Sequence, residues 1–152
     1  MSFARSFADK IDSGSSVLWV YLTGDEGRAE RTLKKITEDY KAHQGTDLHW
    51  YNWNLCTGAS WNLKCKDPTQ ALLEVHEKLI GHGLILMKDF GTLLNGAGLK
   101  NMELRRQLIE LCVSNSLSNN KRTRAICILA NTPTPHPEIA EFCDVIDFEL
   151  PH

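Results

Sequence analysis

The sequence predicts an α/β fold, a three-layer arrangement in which a five-stranded, mainly parallel sheet carries helices on both faces. Three observations predict it. Short apolar runs alternate with helical patterns along the chain. Two of the runs, ILM within GLILMKDF and ICIL within RAICILAN, are apolar without alternation, as strands buried on both sides are. The intervals between runs carry their own helix punctuation, so right-handed crossovers over a parallel sheet account for the order. At 152 residues, 42% apolar and 24% charged, the chain suits one domain with a sizeable core.

Each element follows in turn. Residues 1–15 end in Ser and Gly with little apolar periodicity, although Phe3 and Phe7 could share one face of a short helix; the segment reads as an N-terminal arm ahead of a single domain over 16–152. The strands are SVLWVYL (16–22), DLHWYNWN (47–54), GLILMKDF (83–90), RAICILAN (124–131) and DVIDFEL (144–150). After the first strand, Thr23 can cap a helix while Glu26, three residues on, reaches back to the Thr23 backbone N–H. In DPTQALLEVHEKLIGHG, Asp67 is the N-cap, Pro68 the first helical residue, Gln70 the capping-box partner and Gly81 the stop. GTLLNGAGLKN reads as a loop. NMELRRQLIELC places Leu104, Leu108, Leu111 and Cys112 on one stripe. A last short helix runs from Pro137 to Cys143.

Charge and cysteine usage exclude several classes of function. Lys plus Arg number 17 against 19 Asp plus Glu, a net charge of -2, which argues against a nucleic-acid or anionic-membrane partner. The five cysteines are odd in number and scattered, with no secretory signal or long apolar span, a pattern expected of a cytoplasmic, reduced protein. Cys56 and Cys65 lack a CxxC partner, and the six histidines form no pair on one helix face, so no metal site is expected. No GxSxG elbow is present.

In a doubly wound sheet, function sits at the carboxyl ends of the strands. The first strand runs into TGDEGR, where a phosphate-binding loop would read GxxxxGK followed by Ser or Thr. Gly24 and Gly27 remain, but no Lys occupies the required place and Ala29 follows Arg28. Asp25 and Glu26 lie in the loop itself. Two like charges 4 Å apart repel by about 1 kcal/mol in water and about 4 kcal/mol at an effective dielectric near 20, which opposes a triphosphate. Their own place at a helix N-terminus is favourable. The third strand ends at Asp89, where nucleotide hydrolases place a magnesium-binding carboxylate, with Phe90 where a catalytic Glu would stand. The simpler reading of Asp89 is a cap or loop partner. Lys88 beside it could pair with Asp89 or face solvent. Asn131 ends the fourth strand, either as a terminal-phosphate sensor or as an Asx-type turn into the Pro-rich loop.

The segment WYNWNLCTGASW concentrates Trp50, Tyr51, Trp53 and Trp61. On a strand, Trp50 points opposite to Tyr51 and Trp53. Core packing is the default reading, and exposure of one set would make a partner-binding edge. Arg105 and Arg106 could form an arginine pair serving a neighbouring subunit; solvated helix-face charges are the plainer reading.

With these residues in view, the chain from about residue 16 to 151 resembles the degenerate N-terminal AAA-like domain of the chloroplast and cyanobacterial type of AAA ATPases. The resemblance lies in the strand followed by TGDEGR and a helix, Trp53 with Gly58, LILMKDF, the LRRQL helix, the strand ending Ala-Asn, and PHPEI before VIDFELP. It implies a P-loop-type α/β fold that has lost its ATPase chemistry, and a role in protein binding or assembly. It also implies either a part of a larger ATPase or a free-standing adaptor or inhibitor. On that reading the partner is another protein or a second copy, no cofactor is needed, and the loss of the Lys and Glu points away from an enzyme. The alternative is an ATP-binding or weakly hydrolysing domain using magnesium, with Gly24, Gly27, Asp89 and Asn131 as its site.

Overall fold

The computed structural model describes residues 3–44, 47–79, 81–117 and 124–148. Its strands are β1 (Val17–Tyr21), β2 (His49–Asn54), β3 (Gly58–Ala59), β4 (Gly83–Met87), β5 (Arg124–Ala130) and β6 (Cys143–Asp147). They form one sheet in the order β3-β2-β4-β5-β1-β6, parallel except for the antiparallel β2–β3 pair. The α/β class and the five long strands agree with the sequence reading. The sixth, β3, is a two-residue return of the chain onto Trp53 and Asn54, too short to give a period-2 signal. Glu149 and Leu150, assigned to the last strand from sequence, and the closing Pro151–His152, lie outside the described residues.

The helices are α1 (Phe3–Asp12), α2 (Glu26–Gln44), α3 (Pro68–Glu77), α4 (Phe90–Asn95) and α5 (Leu99–Leu117). They fall on two sides because successive strand residues point to opposite faces. Leu18 and Val20 of β1, Leu84 and Leu86 of β4, and Cys127 of β5 bury against Ala29, Leu33, Ile36 and Tyr40 of α2. Those four helical residues recur at i, i+4, i+7 and i+11, one stripe of a 3.6-residue period. Trp19, Ile85, Met87 and Ile128 point the other way, onto Ala71, Leu72 and Val75 of α3 and Leu104, Leu108 and Leu111 of α5. The two apolar cores and the sheet between them are the three layers.

Three segments differ from the sequence expectation. The opening segment is not an arm apart from the domain: it forms the short helix that Phe3 and Phe7 suggested, α1, and Phe7 and Ile11 are buried in the α2 face of the core. Burying such side chains stabilises by roughly 1.5–3 kcal/mol each, which holds the helix in place. Gly14, at φ +87°, turns the chain out of α1 toward β1, and Tyr40 of α2 donates to Asp12 at 2.6 Å. Burial, with the neighbouring Asp12 carboxylate accepting its hydrogen bond, pushes the Tyr40 hydroxyl pKa up to about 12. Second, the expected loop after β4 contains α4, whose Gly91 sits so close to β5 that a Cβ there would stand 2.9 Å from that of Ala130. Third, the expected short helix near Pro137 is a single 3-10 turn, Ala140–Phe142.

Caps explain the element boundaries. Asp67 caps α3 with its side chain accepting from Thr69 N, and Pro68 opens the helix, as the sequence reads. Gln70 does not complete a capping box; its amide donates to Glu74 at 3.2 Å, one turn along. Gly81, at φ +76°, lies beyond the helix end.

Candidate functional site

The connection leaving β1 carries α2 to one face of the sheet, whereas those leaving β4 and β5 run to the other. Where neighbouring loops part in this way, a doubly wound sheet leaves a crevice at the carboxyl ends of its strands. The crevice here is about 350 Å³, between the loop after β1 (Thr23, Gly24, Asp25, Glu26), the end of β4 (Lys88, Asp89), Thr92 of α4, and the end of β5 with Asn131. Of the four nucleotide-site candidates, Gly24, Asp89 and Asn131 come together at this cleft. Gly27 does not: it lies inside the first turn of α2, where a Cβ would meet the Arg31 guanidinium at 3.2 Å.

The loop after β1 is shaped by Asp25, not by the expected Thr23–Glu26 box. Asp25 adopts φ +50°, a left-handed conformation that Asp tolerates better than most residues. Its main-chain oxygen accepts from Ala29 N at 3.2 Å and its carboxylate from Arg28 N at 3.1 Å, so Asp25 caps α2 two residues later than Thr23 would. Arg28, the nearest cation after the loop, is not among the residues that line the cleft. Its Nε lies 3.4 Å from the Asp25 carboxylate, and its guanidinium stacks 4.7 Å from the centre of the Phe148 ring.

Two more charged groups of the cleft, Lys88 and Asp89, are held by the fold in the same manner. Lys88 pairs with Glu30 of α2 at 2.7 Å, a partner other than Asp89, with both side chains still part-exposed. Asp89 accepts a 2.8 Å hydrogen bond from Leu55 N, which fastens the turn after β2 to the end of β4. This is the loop-partner role that the sequence offered as the simpler reading. Asp89 also stands at the N-cap position of α4, with no side-chain bond to that helix. Asn131 is exposed, and the next residue's carbonyl, of Thr132, accepts from Trp19 Nε1 at 2.8 Å.

Of the aromatic candidates only Trp53 is buried in the core; Trp50, Tyr51 and Trp61 are half-buried. Trp53 is fully buried, donates to the Cys65 carbonyl at 2.9 Å, and meets Phe90 edge to face. Tyr51 and Trp61 stack edge to face on the same side of β2, whereas Trp50 packs against the opposite core, as the strand period requires. β2 is not an open edge along its carboxyl half, because β3 and Ser60 cover Asn52 to Asn54.

Arg105 and Arg106 separate completely. Arg105 is 4% exposed, contrary to a solvated helix-face charge. It donates to the carbonyls of Leu94 and Gly96 at 2.8 and 2.7 Å and lies 3.5 Å from Glu138, closing the orphan carbonyls at the end of α4. Arg106 is exposed and pairs with Glu110 one turn on.

Sequence reasoning missed Glu74. It is 2% exposed, and its carboxylate accepts from Trp61 Nε1 (3.1 Å), Asn62 Nδ2 (3.2 Å) and Gln70 Nε2 (3.2 Å), with Lys78 Nζ at 3.7 Å. Burial alone would raise its pKa; donation from Asn62, Gln70, Trp61 and Cys65 outweighs that and holds it below the usual carboxylate value. An i, i+4 spacing from Gln70 and to Lys78 was the one signal available in the sequence. Burial, helped by the Glu74 carboxylate, pushes the Cys65 thiol up to about 11, and burial takes Cys112 to about 11 and Cys143 to about 12.

Among the described residues, no three His, Cys, Asp or Glu side chains are grouped to hold a metal ion, and no helix is long and apolar enough to cross a membrane. No model of a known protein family matches the sequence, and no curated protein matches it.

Proposed function

We propose that the chain is a non-catalytic, AAA-like module that works by associating with other proteins. The observation that carries this reading is the employment of three of the cleft's four charged side chains, the fourth being Glu26 in the first turn of α2. Asp25 caps α2, Lys88 is paired with Glu30, and Asp89 fastens the turn at Leu55. A triphosphate needs cations and donors aimed at it, and a hydrolase needs a carboxylate free to hold magnesium. Here those groups stabilise the fold, and the nearest arginine, Arg28, is directed at Asp25 and Phe148.

Calorimetric titration with ATP and magnesium tests the proposal. The expected outcome is no saturable heat and no thermal stabilisation at millimolar nucleotide. Saturable binding overturns it.

A second reading has one observation in its favour: Gly24, Asp89 and Asn131 line a single cleft at the switch point of the sheet. It makes the domain an ATP-binding one with magnesium. On that reading Asp89→Ala weakens nucleotide binding in proportion to magnesium, and an unchanged affinity removes Asp89 from the site.

A further inference from the structure

Three of the six large apolar side chains exposed among the described residues stand on one helix, α5: Leu99 at 66%, Met102 at 48% and Val113 at 40%. With exposed Arg106 and half-buried Ile109 between them, they follow one another at intervals of three, four, three and four residues. That is the spacing of a seam along one side of a helix, so helical geometry alone places all five on one surface. It is a second seam. Leu104, Leu108, Leu111 and Cys112 fill the buried side of the same helix, so α5 lacks the wholly polar outer face that a helix covering a sheet usually carries.

A row of charges runs beside the seam. Lys100, Glu103, Arg106 and Glu110 are all exposed, lie three or four residues apart, and alternate in sign from one end to the other. Their charges cancel, so the row selects no partner by net charge; the order of signs does the selecting. Read backwards, that order is opposite at every step. A second copy of α5 laid antiparallel brings its Glu110 opposite Lys100 and its Arg106 opposite Glu103, and both pairings are centred near residue 105, so one two-fold axis serves them all. A parallel copy in register would set like charge on like. In the antiparallel register Leu99 falls between Ile109 and Val113 of the second copy, and Met102 lies beside its Ile109. Within one chain Arg106 pairs with Glu110, one turn on. Such an exposed pair is weak, which leaves both groups available to the second copy.

We infer that the outer side of α5 is a self-association surface, on which a second copy of the chain docks antiparallel, seam to seam, with Lys100 and Glu103 facing Glu110 and Arg106 of the other copy. The inference rests on the protein-association reading above and names the surface and the partner. With a rise of about 1.5 Å per residue the seam is about 21 Å long and belongs with small interfaces, so the dimer should be weak and concentration-dependent.

The experiment is sedimentation equilibrium of the full chain from micromolar to near-millimolar concentration. The weight-average mass should climb from that of one chain toward that of two. Met102→Asp should weaken the dimer by about tenfold or more, and Leu63→Asp, at a side chain 70% exposed in the loop before α3, should not. Arg106→Glu or Glu103→Lys alone should weaken it by about tenfold at low salt, because each turns two attractions into repulsions, with the difference closing at high salt. Mixing those two variants should restore the dimer, since each then meets its opposite. The double variant Glu103→Lys/Arg106→Glu should dimerise as the wild type does. A cooperative thermal transition, kept by every variant, confines the comparison to association.

A chain that stays monomeric at the highest concentration overturns the inference. So does a dimer indifferent to Met102→Asp or to the single charge reversals, or one that mixing fails to restore. A monomeric chain whose α5 surface captures a different protein assigns the seam to that protein and overturns it too. Nucleotide binding in the calorimeter removes the non-catalytic reading and leaves the mass measurements to stand or fall separately.

Discussion

Glu74 and Asp89 each hold a loop against the sheet, in opposite surroundings. Glu74 is sealed beneath residues 58–66, with donors from Trp61, Asn62 and Gln70 converging on it. Asp89 sits at the mouth of the cleft with a single bond to Leu55 N. A carboxylate taken from water must have its oxygens satisfied by the protein, so the buried one is strongly coupled to its surroundings and the wet one only weakly. The difference separates the part of the molecule that is fixed from the part that can accept change, and it can be tested from both ends.

The largest effect is expected from Glu74→Ala. Removing the carboxylate leaves the part-buried donors of Trp61, Asn62 and Gln70 without their shared acceptor, a loss of about 3 kcal/mol by denaturant unfolding. A cost below about 1 kcal/mol would mean that water reaches the site and that the two carboxylates do not differ. Gly58→Ala comes next, at about 2–3 kcal/mol. The substitution adds left-handed strain to a 2.6 Å approach against main-chain oxygen, an atom that cannot swing aside.

Acid sharpens the comparison without altering the sequence. The Glu74 carboxyl is held below its ordinary value of 4.5 in the folded state, so the unfolded state binds its proton first. Its contribution is therefore fully present above pH 4.5 and disappears as pH falls through the lower, folded value. Glu74→Gln should flatten that limb of a stability-against-pH curve, and a limb of unchanged steepness would assign acid sensitivity to other carboxylates. At the small end, Asp89→Ala should cost about 1 kcal/mol, the worth of one part-exposed hydrogen bond. The Lys88–Glu30 pair should show a coupling below about 1 kcal/mol in a double-mutant cycle, since both side chains touch solvent.

How far the sequence could reach follows from the same contrast. Local signals were legible. Asp67 followed by Pro68 gave the start of α3, the Leu104–Cys112 stripe gave the buried face of α5, and unbroken apolar runs gave β4 and β5. The prediction that function belongs at the strand ends led to a real cleft that gathers Gly24, Asp89 and Asn131. Hidden from the sequence were contacts between residues distant along the chain: Asp89 with Leu55, Lys88 with Glu30, Arg105 with the end of α4. Each is a choice among several charged or polar partners that only the fold brings within 4 Å. The Asp25 cap was missed for a different reason. Thr23 and Glu26 satisfy the spacing of a capping box equally well, and the left-handed turn at Asp25 leaves no mark in the residue types alone.

The place of β1 in the sheet also bears on how the molecule is made. This early strand lies between β5 and β6, with Val17 beside Ile126 on one side and Cys143 on the other. A growing chain therefore carries β1 with both hydrogen-bonding edges open until nearly all of the described sequence has been synthesised. Its apolar run VLWVY remains a template for wrong strands during that interval. Both pairings of β1 must search a long loop, so this domain should fold slowly for its size.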